Sequence, residues 1–147
     1  MSLKLSTGLA NTMLAGSSFR DALNGMVMRV YGGDEPATAD ASIGSATLLV
    51  TITDGGLGGA LEFEANAVSA VLSKSSSQAW QGTGVADGTA TFCRLLLPAD
   101  TDTSSSIVVR LQGDAGLAGR FLNLTSTAIS TGAIQRVGAL SIAQPLQ

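Results

Sequence analysis

The sequence has no histidine and a single cysteine, Cys93, among 147 residues. Histidine is the most common general base, and serine, threonine and cysteine nucleophiles usually depend on it. Lys4 and Lys74, which could replace it, lie near the N-terminus and in a serine-rich segment, where we expect them to be solvated. These absences argue against an enzyme. We therefore predict no catalytic residue, no metal ligand and no cofactor.

A lone cysteine cannot form an internal disulfide. Cys93 lies in the run Thr-Phe-Cys-Arg-Leu, which predicts a buried thiol that packs as a small apolar side chain. Asp100 and Asp102 offer oxygen ligands but lack the full calcium-loop pattern with its closing glutamate. They predict a polar loop instead.

Charge is also scarce, because charged residues make up 13% of the chain whereas an ordinary soluble domain has about 25%. The mean hydropathy is +0.34. The net charge of −3 and the scattered basic residues do not make the basic stripe that a phosphate backbone requires, so nucleic acid is not an expected partner. So little charge suggests that other protein covers much of the exterior, which favours a subunit of an assembly.

Long apolar runs are missing as well. No stretch of about 18 uncharged apolar residues is present, and the first nine residues lack the basic and apolar regions of a secretion signal. We expect synthesis in the cytoplasm of the producing cell and no membrane partner.

Residues 1–24 are predicted to form a short N-terminal helical or extended arm. Apolar residues recur at loosely helical intervals up to Asn24-Gly25, where the pattern stops. Gly16-Ser17-Ser18 divides the segment, because glycine and serine are poor in helix interiors. Residues 25–147 are predicted to form a separate body.

In the body, apolar residues recur with a period of two, which is typical of β-strands. The clearest runs are 26–31, 48–53, 88–97 and 107–112, and shorter candidates are 61–64, 70–72, 82–86, 122–125 and 133–142. Turn residues separate them, and Asp87-Gly88 is the best hairpin signal. About eight short strands without interposed helices predict an all-β fold, namely an antiparallel β-sandwich that is jelly-roll-like.

Three further motifs favour structural over chemical interpretations. The glycine-rich stretch 55–59 lacks the Lys-Ser/Thr of a phosphate loop and predicts a loop tip. Glu62 and Glu64 flank Phe63, so they could hold a cation, but a solvated face opposite a buried Phe63 is favoured. Trp80 could stack on a sugar or pack over one end of the sandwich, and packing is favoured.

Residues 29–41 (Arg-Val-Tyr-Gly-Gly-Asp-Glu-Pro-Ala-Thr-Ala-Asp-Ala) and 44–52 (Gly-Ser-Ala-Thr-Leu-Leu-Val-Thr-Ile) resemble small structural proteins encoded among the virion genes of tailed bacteriophages and prophages. The same likeness extends over residues 71–74, 80–82, 88–95 and 122–127. It therefore spans nearly the whole chain. No catalytic signature is part of it.

Within that class the resemblance implies a capsid cement, or decoration, protein on the outer capsid surface of the virion, made in the bacterial host cytoplasm. Its partners would be the major capsid protein, whose lattice it stabilises, and copies of itself, with a dimer favoured over a trimer. The candidate residues for a capsid or subunit interface are Leu5, Leu9, Met13, Leu14 and Phe19. These side chains could instead cap the chain's own sandwich. A neck, collar or tail-fibre attachment protein and a carbohydrate-binding host-adhesion module are the alternatives.

Overall fold

The computed structural model describes residues 1–144, so the last three residues of the predicted body lie outside the described part. The fold is mostly β with antiparallel sheets, which confirms the all-β prediction at that level. The strands are β1 (Leu3–Leu5), β2 (Val27–Gly32), β3 (Thr47–Asp54), β4 (Val71–Ser73), β5 (Trp80–Thr83), β6 (Gly88–Thr89), β7 (Phe92–Leu96), β8 (Leu111–Gly116), β9 (Leu122–Asn123), β10 (Ala128–Ile129), β11 (Ile134–Arg136) and β12 (Ser141–Ala143). The helices are α1 (Thr7–Leu14) and α2 (Phe19–Ala22).

One main sheet organises the molecule. Its strands follow the order β1-β8-β7-β2-β3-β5-β11, and β9 pairs with β8 in parallel. Two ribbons, β10-β6 and β12-β4, have two antiparallel strands each. Strands β2, β7 and β8 are almost entirely buried, which places the centre of the main sheet inside the protein.

The two faces of the main sheet differ in chemistry. Alternate residues such as Met28, Val30 and Leu95 face the hydrophobic core, where they join the buried rings of Trp80 and Phe121. The ribbons, the helices and several loop segments contribute apolar side chains to the same core. This face therefore holds most of the apolar packing.

The opposite face carries a polar row, because the strand register aligns Arg29 with Arg94, Arg94 with Gln112 and Gln112 with Lys4. Two long loops cover this row. They are residues 33–46, between β2 and β3, and residues 97–110, between β7 and β8. The polar side chains of the row hydrogen-bond both loops, as described below.

The first 24 residues share the sheet and the core of the body. Strand β1 pairs with β8 in antiparallel register, and Leu9 of α1 is fully buried in the core. The close approach of α1 requires Gly8, because a Cβ there would lie 2.4 Å from the carbonyl oxygen of Val108. The segment predicted as an arm therefore packs along the body.

Several local predictions differ from the structure. No strand forms over 61–64, where Phe63 makes only an isolated bridge with Lys74. The apolar pattern predicts a strand over 107–112, but β8 begins only at Leu111. The preceding residues lie over α1 instead, where Val108 and Arg110 hydrogen-bond with Ser6 and the backbone N–H of Ile107 donates to Ser105. Asp87-Gly88 does not form the turn of a hairpin. Strand β6 pairs with β10, and the Asp87 carboxylate accepts a hydrogen bond from the backbone N–H of Thr131.

Candidate functional site

An apolar groove lies between the N-terminal segment and the β12-β4 ribbon, with a volume of about 540 Å³. One wall comes from β1, α1 and the start of α2, and the other comes from residues 65–72 and 142–144. Its apolar lining is made of Leu3, Leu5, Met13, Phe19, Leu72 and Ile142, together with several alanines. The charged residues of the lining are Arg20 and Asp21. The groove is thus a mostly uncharged surface.

The structure brings three of the five predicted interface residues together in this groove. Leu5 is 42% exposed, and Met13 and Phe19 are half-buried against the edge of the core. Leu9 has no exposed surface, so it belongs to the chain's own core. Leu14 is 87% exposed and lies outside the groove.

A buried serine fixes the wall that carries β1 and α1. Ser6 is the N-cap of α1, and its Oγ accepts a hydrogen bond from the backbone N–H of Leu9 at 3.1 Å. The same oxygen accepts from the backbone N–H of Arg110 at 2.9 Å and donates to the carbonyl of Val108 at 2.8 Å. This one side chain therefore links the strand, the helix and the loop at 97–110.

A buried arginine cluster lies under the two loops on the polar face of the sheet. We define it as Arg29, Arg94 and Arg110 with Asp100, Asp102 and Tyr31. The cluster combines three positive and two negative side chains, which need close pairing because burial removes their hydration.

The three arginines of the cluster form ion pairs with its two aspartates. Asp100 binds Arg110 in a bidentate geometry, with both nitrogen–oxygen distances at 2.6 Å. Asp102 lies between Arg29 and Arg94, at 2.7 Å and 3.3 Å from their respective Nη1 atoms. Each carboxylate of the cluster is therefore charge-paired.

Other guanidinium N–H groups donate to loop carbonyls, and Nε of Arg94 donates to Oε1 of Gln112 at 2.9 Å. Arg94 donates to the carbonyl of Ala41 at 2.8 Å, which holds the loop at 33–46. Arg29 donates to the carbonyl of Pro98 at 2.9 Å, and Arg110 donates to that of Thr103 at 2.8 Å. Arginine side chains thus hold these loops where no neighbouring strand is available.

The electrostatics of the cluster suit a structural role. Burial raises the pKa of Tyr31, and its hydrogen bond to Asp102 raises it further, so the phenol stays protonated. Burial lowers the pKa of Arg94 from its ordinary value, and Asp102 opposes that change. Among the described residues, every buried side-chain nitrogen or oxygen has a hydrogen-bond partner. The buried polar atoms of the cluster are therefore satisfied by other groups of the protein.

The other motifs also have structural environments. Trp80 is buried, lies edge-on to Phe63 with ring centres 5.6 Å apart, and donates from Nε1 to Gln78 at 2.8 Å. Glu62 is exposed, while Glu64 accepts a hydrogen bond from the backbone N–H of Ser76 at 2.7 Å. The glycine-rich stretch 55–59 forms a turn after β3.

Within residues 1–144, no group of three or more histidine, cysteine, aspartate or glutamate side chains is placed to hold a metal ion. The helices in that range are too short to cross a membrane.

No family model matches this chain, and neither does any curated protein or solved structure.

Sequence reasoning missed the arginine cluster, although a signal for it exists. Arg29, Arg94 and Arg110 each lie within an apolar run, which is unusual because arginine is rarely fully buried unless it is paired. Such a pattern indicates buried charges that need carboxylate partners. These partners are Asp100 and Asp102, for which the sequence pattern predicts only a polar loop.

Proposed function

We propose that this protein is a structural virion protein, a capsid cement that binds the outer surface of a phage head and stabilises the lattice of the major capsid protein. The apolar groove is the observation that supports this proposal best. It gathers Leu5, Met13 and Phe19 on one mostly uncharged surface. An apolar pocket of this kind can accept an anchoring side chain of a partner protein.

Rigidity of the body also favours a clamping role. The arginine cluster fixes two long loops to the main sheet, and Ser6 fixes the wall of the groove. A preorganised surface loses little entropy on binding. Repeated weak contacts across a shell become collectively strong when each copy bridges neighbouring capsid subunits.

The finer architecture belongs to the same proposal. The two ribbons and the loops over the core face would act as the second layer of a jelly-roll-like β-sandwich. Self-association on the shell, with a dimer favoured over a trimer, would complete the lattice contacts.

The carbohydrate-binding alternative has less support. The two aromatic side chains that combine a large ring with a polar group, Tyr31 and Trp80, have 0% and 1% exposure. Neither ring is available as a stacking platform for a sugar. A neck or tail-fibre attachment role differs from the cement role mainly in copy number.

Copy number in the purified virion tests the proposal first. Quantitative mass spectrometry should give a simple ratio to the major capsid protein, such as one copy per capsid subunit or a simple fraction of that. About a dozen copies per particle would instead favour the neck or tail. Absence from the particle would contradict a virion role.

A pair of leucine variants tests whether the groove is the binding surface. Leu5→Asp places a charge in the groove, whereas Leu57→Asp alters a leucine that is 92% exposed and lies outside it. We expect Leu5→Asp to reduce co-sedimentation with phage heads assembled without the protein by at least tenfold. Leu57→Asp should co-sediment as the unmodified chain does. Equal binding of both variants would show that the groove is not the contact.

A further inference from the structure

Within residues 1–144, the outer edge of β1 presents backbone groups that have no hydrogen-bond partner. The ladder with β8 includes backbone bonds from Asp114 to Ser2 and from Ser6 to Arg110, so the even-numbered residues of β1 face β8. In an antiparallel ladder the intervening residues direct their N–H and C=O groups away from the partner strand. The backbones of Leu3 and Leu5 therefore point outward, and no backbone or side-chain group within residues 1–144 bonds to them.

This free edge borders the apolar groove, because Leu3 and Leu5 are among the residues that line it. Leu3 and Leu5 together offer two backbone N–H groups and two carbonyls, which can hydrogen-bond with the backbone of another strand. A helix cannot satisfy them, because its own backbone groups are bonded internally. The opposite wall supplies Leu72 and Ile142 for the side chains of an added strand.

We propose that an extended, uncharged segment of the major capsid protein binds in this groove as an additional strand beside β1. This inference rests on the proposed function and names the part of the partner that the groove accepts. The segment carries apolar side chains at every second position, which face the groove. Strand addition to an open sheet edge is a common mode of peptide recognition.

The fold limits the length of the added strand. Strand β1 has three residues, and α1 begins immediately after the N-cap Ser6. Only Leu3 and Leu5 offer outward backbone groups within it. Each copy therefore makes a short contact, and the strength of the attachment comes from many copies on one shell.

A second copy of this chain fits the edge less well. The β1 strands of two copies could pair antiparallel around a two-fold axis. If all three residues of each strand are paired, the two Lys4 residues lie directly opposite each other. Like charges directly opposite on neighbouring strands are destabilising, although the ion pair of each Lys4 with Glu35 of its own copy, at 2.9 Å, reduces that repulsion. An uncharged segment of a different protein avoids this repulsion.

Hydrogen exchange resolved to single amides tests the proposal on the full-length chain. The protein is measured free and bound to phage heads that were assembled without it. We expect exchange at the amides of Leu3 and Leu5 to slow by at least tenfold on binding. The amide of Lys4, which faces β8, should be protected in both states.

A proline variant tests the same backbone groups by affinity. Leu3→Pro removes an outward N–H without removing a bond to β8, and proline is tolerated on edge strands. Leu3→Ala shortens the same side chain but keeps the N–H. We expect Leu3→Pro to bind the heads at least tenfold more weakly than Leu3→Ala, with similar unfolding midpoints.

The outcomes separate this inference from the proposed function. Co-sedimentation with unprotected Leu3 and Leu5 amides would disprove strand addition and leave the cement role intact. Failure to co-sediment would contradict both proposals. Protection that appears in the free protein and increases with its concentration would show that a second copy occupies the edge, which also disproves the capsid segment as its occupant.

Discussion

The hydroxyl of Tyr31 donates a hydrogen bond to Oδ2 of Asp102 across 2.5 Å, and both side chains are buried. Tyr31 lies in the central strand β2, whereas Asp102 lies in the loop at 97–110 and has a φ of 60°. Aspartate tolerates this left-handed conformation better than most residues do. The bond therefore fixes an irregular loop to the middle of the sheet.

Tyr31→Phe tests the contribution of this bond. The aromatic ring of Tyr31 stacks on that of Phe92 with centroids 4.9 Å apart, and this stacking should survive because the substitution removes only the hydroxyl. Asp102 keeps both arginines but loses one donor, so the free energy of unfolding should fall by about 1–3 kcal/mol. Urea unfolding measures the change. An unchanged midpoint would mean that the hydrogen bond contributes nothing net.

Arg94→Met tests the charge pairing of the cluster. Arg94 is fully buried, and its removal leaves Asp102 with Arg29 as its only charged partner in the cluster. Breaking a buried pair costs about 3–5 kcal/mol in the free energy of unfolding, because the remaining charge is poorly compensated. The control Arg136→Met alters an exposed arginine and should change that energy by about 0.5 kcal/mol or less. Similar losses for both variants in urea would contradict the prediction.

Acid should destabilise the protein partly through Asp100. Burial alone would raise the pKa of this carboxyl, but hydrogen bonds from Arg110 and from the backbone of Asp102 hold it below its ordinary value of 3.8. The stabilisation is therefore complete above about pH 4 and is lost as the pH falls through the folded-state pKa.

Asp100→Asn should reduce the pH dependence of stability below pH 4, because the amide does not titrate. Thermal unfolding between pH 5 and pH 2 measures the two slopes. The unmodified chain should lose melting temperature more steeply than the variant. Parallel curves would exclude Asp100 as a source of the acid sensitivity.

The central strands were predictable because their signal is local. The alternation of apolar residues in 26–31 and 48–53 corresponds closely to β2 and β3. The same local pattern misplaced the start of β8. Residues 107–110 alternate as a strand would, but their position over α1 depends on Ser6, which is 102 residues from Val108 in the chain.

The pairings within the cluster and the opposite wall of the groove were not predictable, because the residues that meet there are distant in sequence. Arg29 and Asp102 are 73 residues apart, and loop geometry alone brings them together. The groove combines residues from both ends of the described chain, such as Met13 and Ile142. Periodicity indicates which side chains are buried, but it does not specify which loops pack against them.

Cys93 should be unreactive in the folded protein. Its side chain is fully buried, and burial raises the pKa of the thiol well above its ordinary value. A thiol reagent such as DTNB should therefore react only at the rate of unfolding in buffer, and rapidly in concentrated urea. The control Ser45→Cys adds a thiol at an exposed position and should consume one equivalent at once. Rapid reaction of the unmodified chain in buffer would contradict the burial of Cys93.

Gly8→Ala should destabilise the protein although alanine is the better helix former. Alanine favours a helix interior by about 1 kcal/mol over glycine. In α1, however, the added Cβ would lie 2.4 Å and 2.5 Å from the backbone oxygens of Val108 and Ile107, which cannot move aside as a flexible side chain would. We expect a net loss of about 1–3 kcal/mol in the free energy of unfolding by urea. In the control Gly138→Ala, the added Cβ meets no atom within 4 Å, so the free energy of unfolding should change by about 0.5 kcal/mol or less. A Gly8→Ala variant that is more stable than the unmodified chain would show that α1 does not pack tightly on the loop.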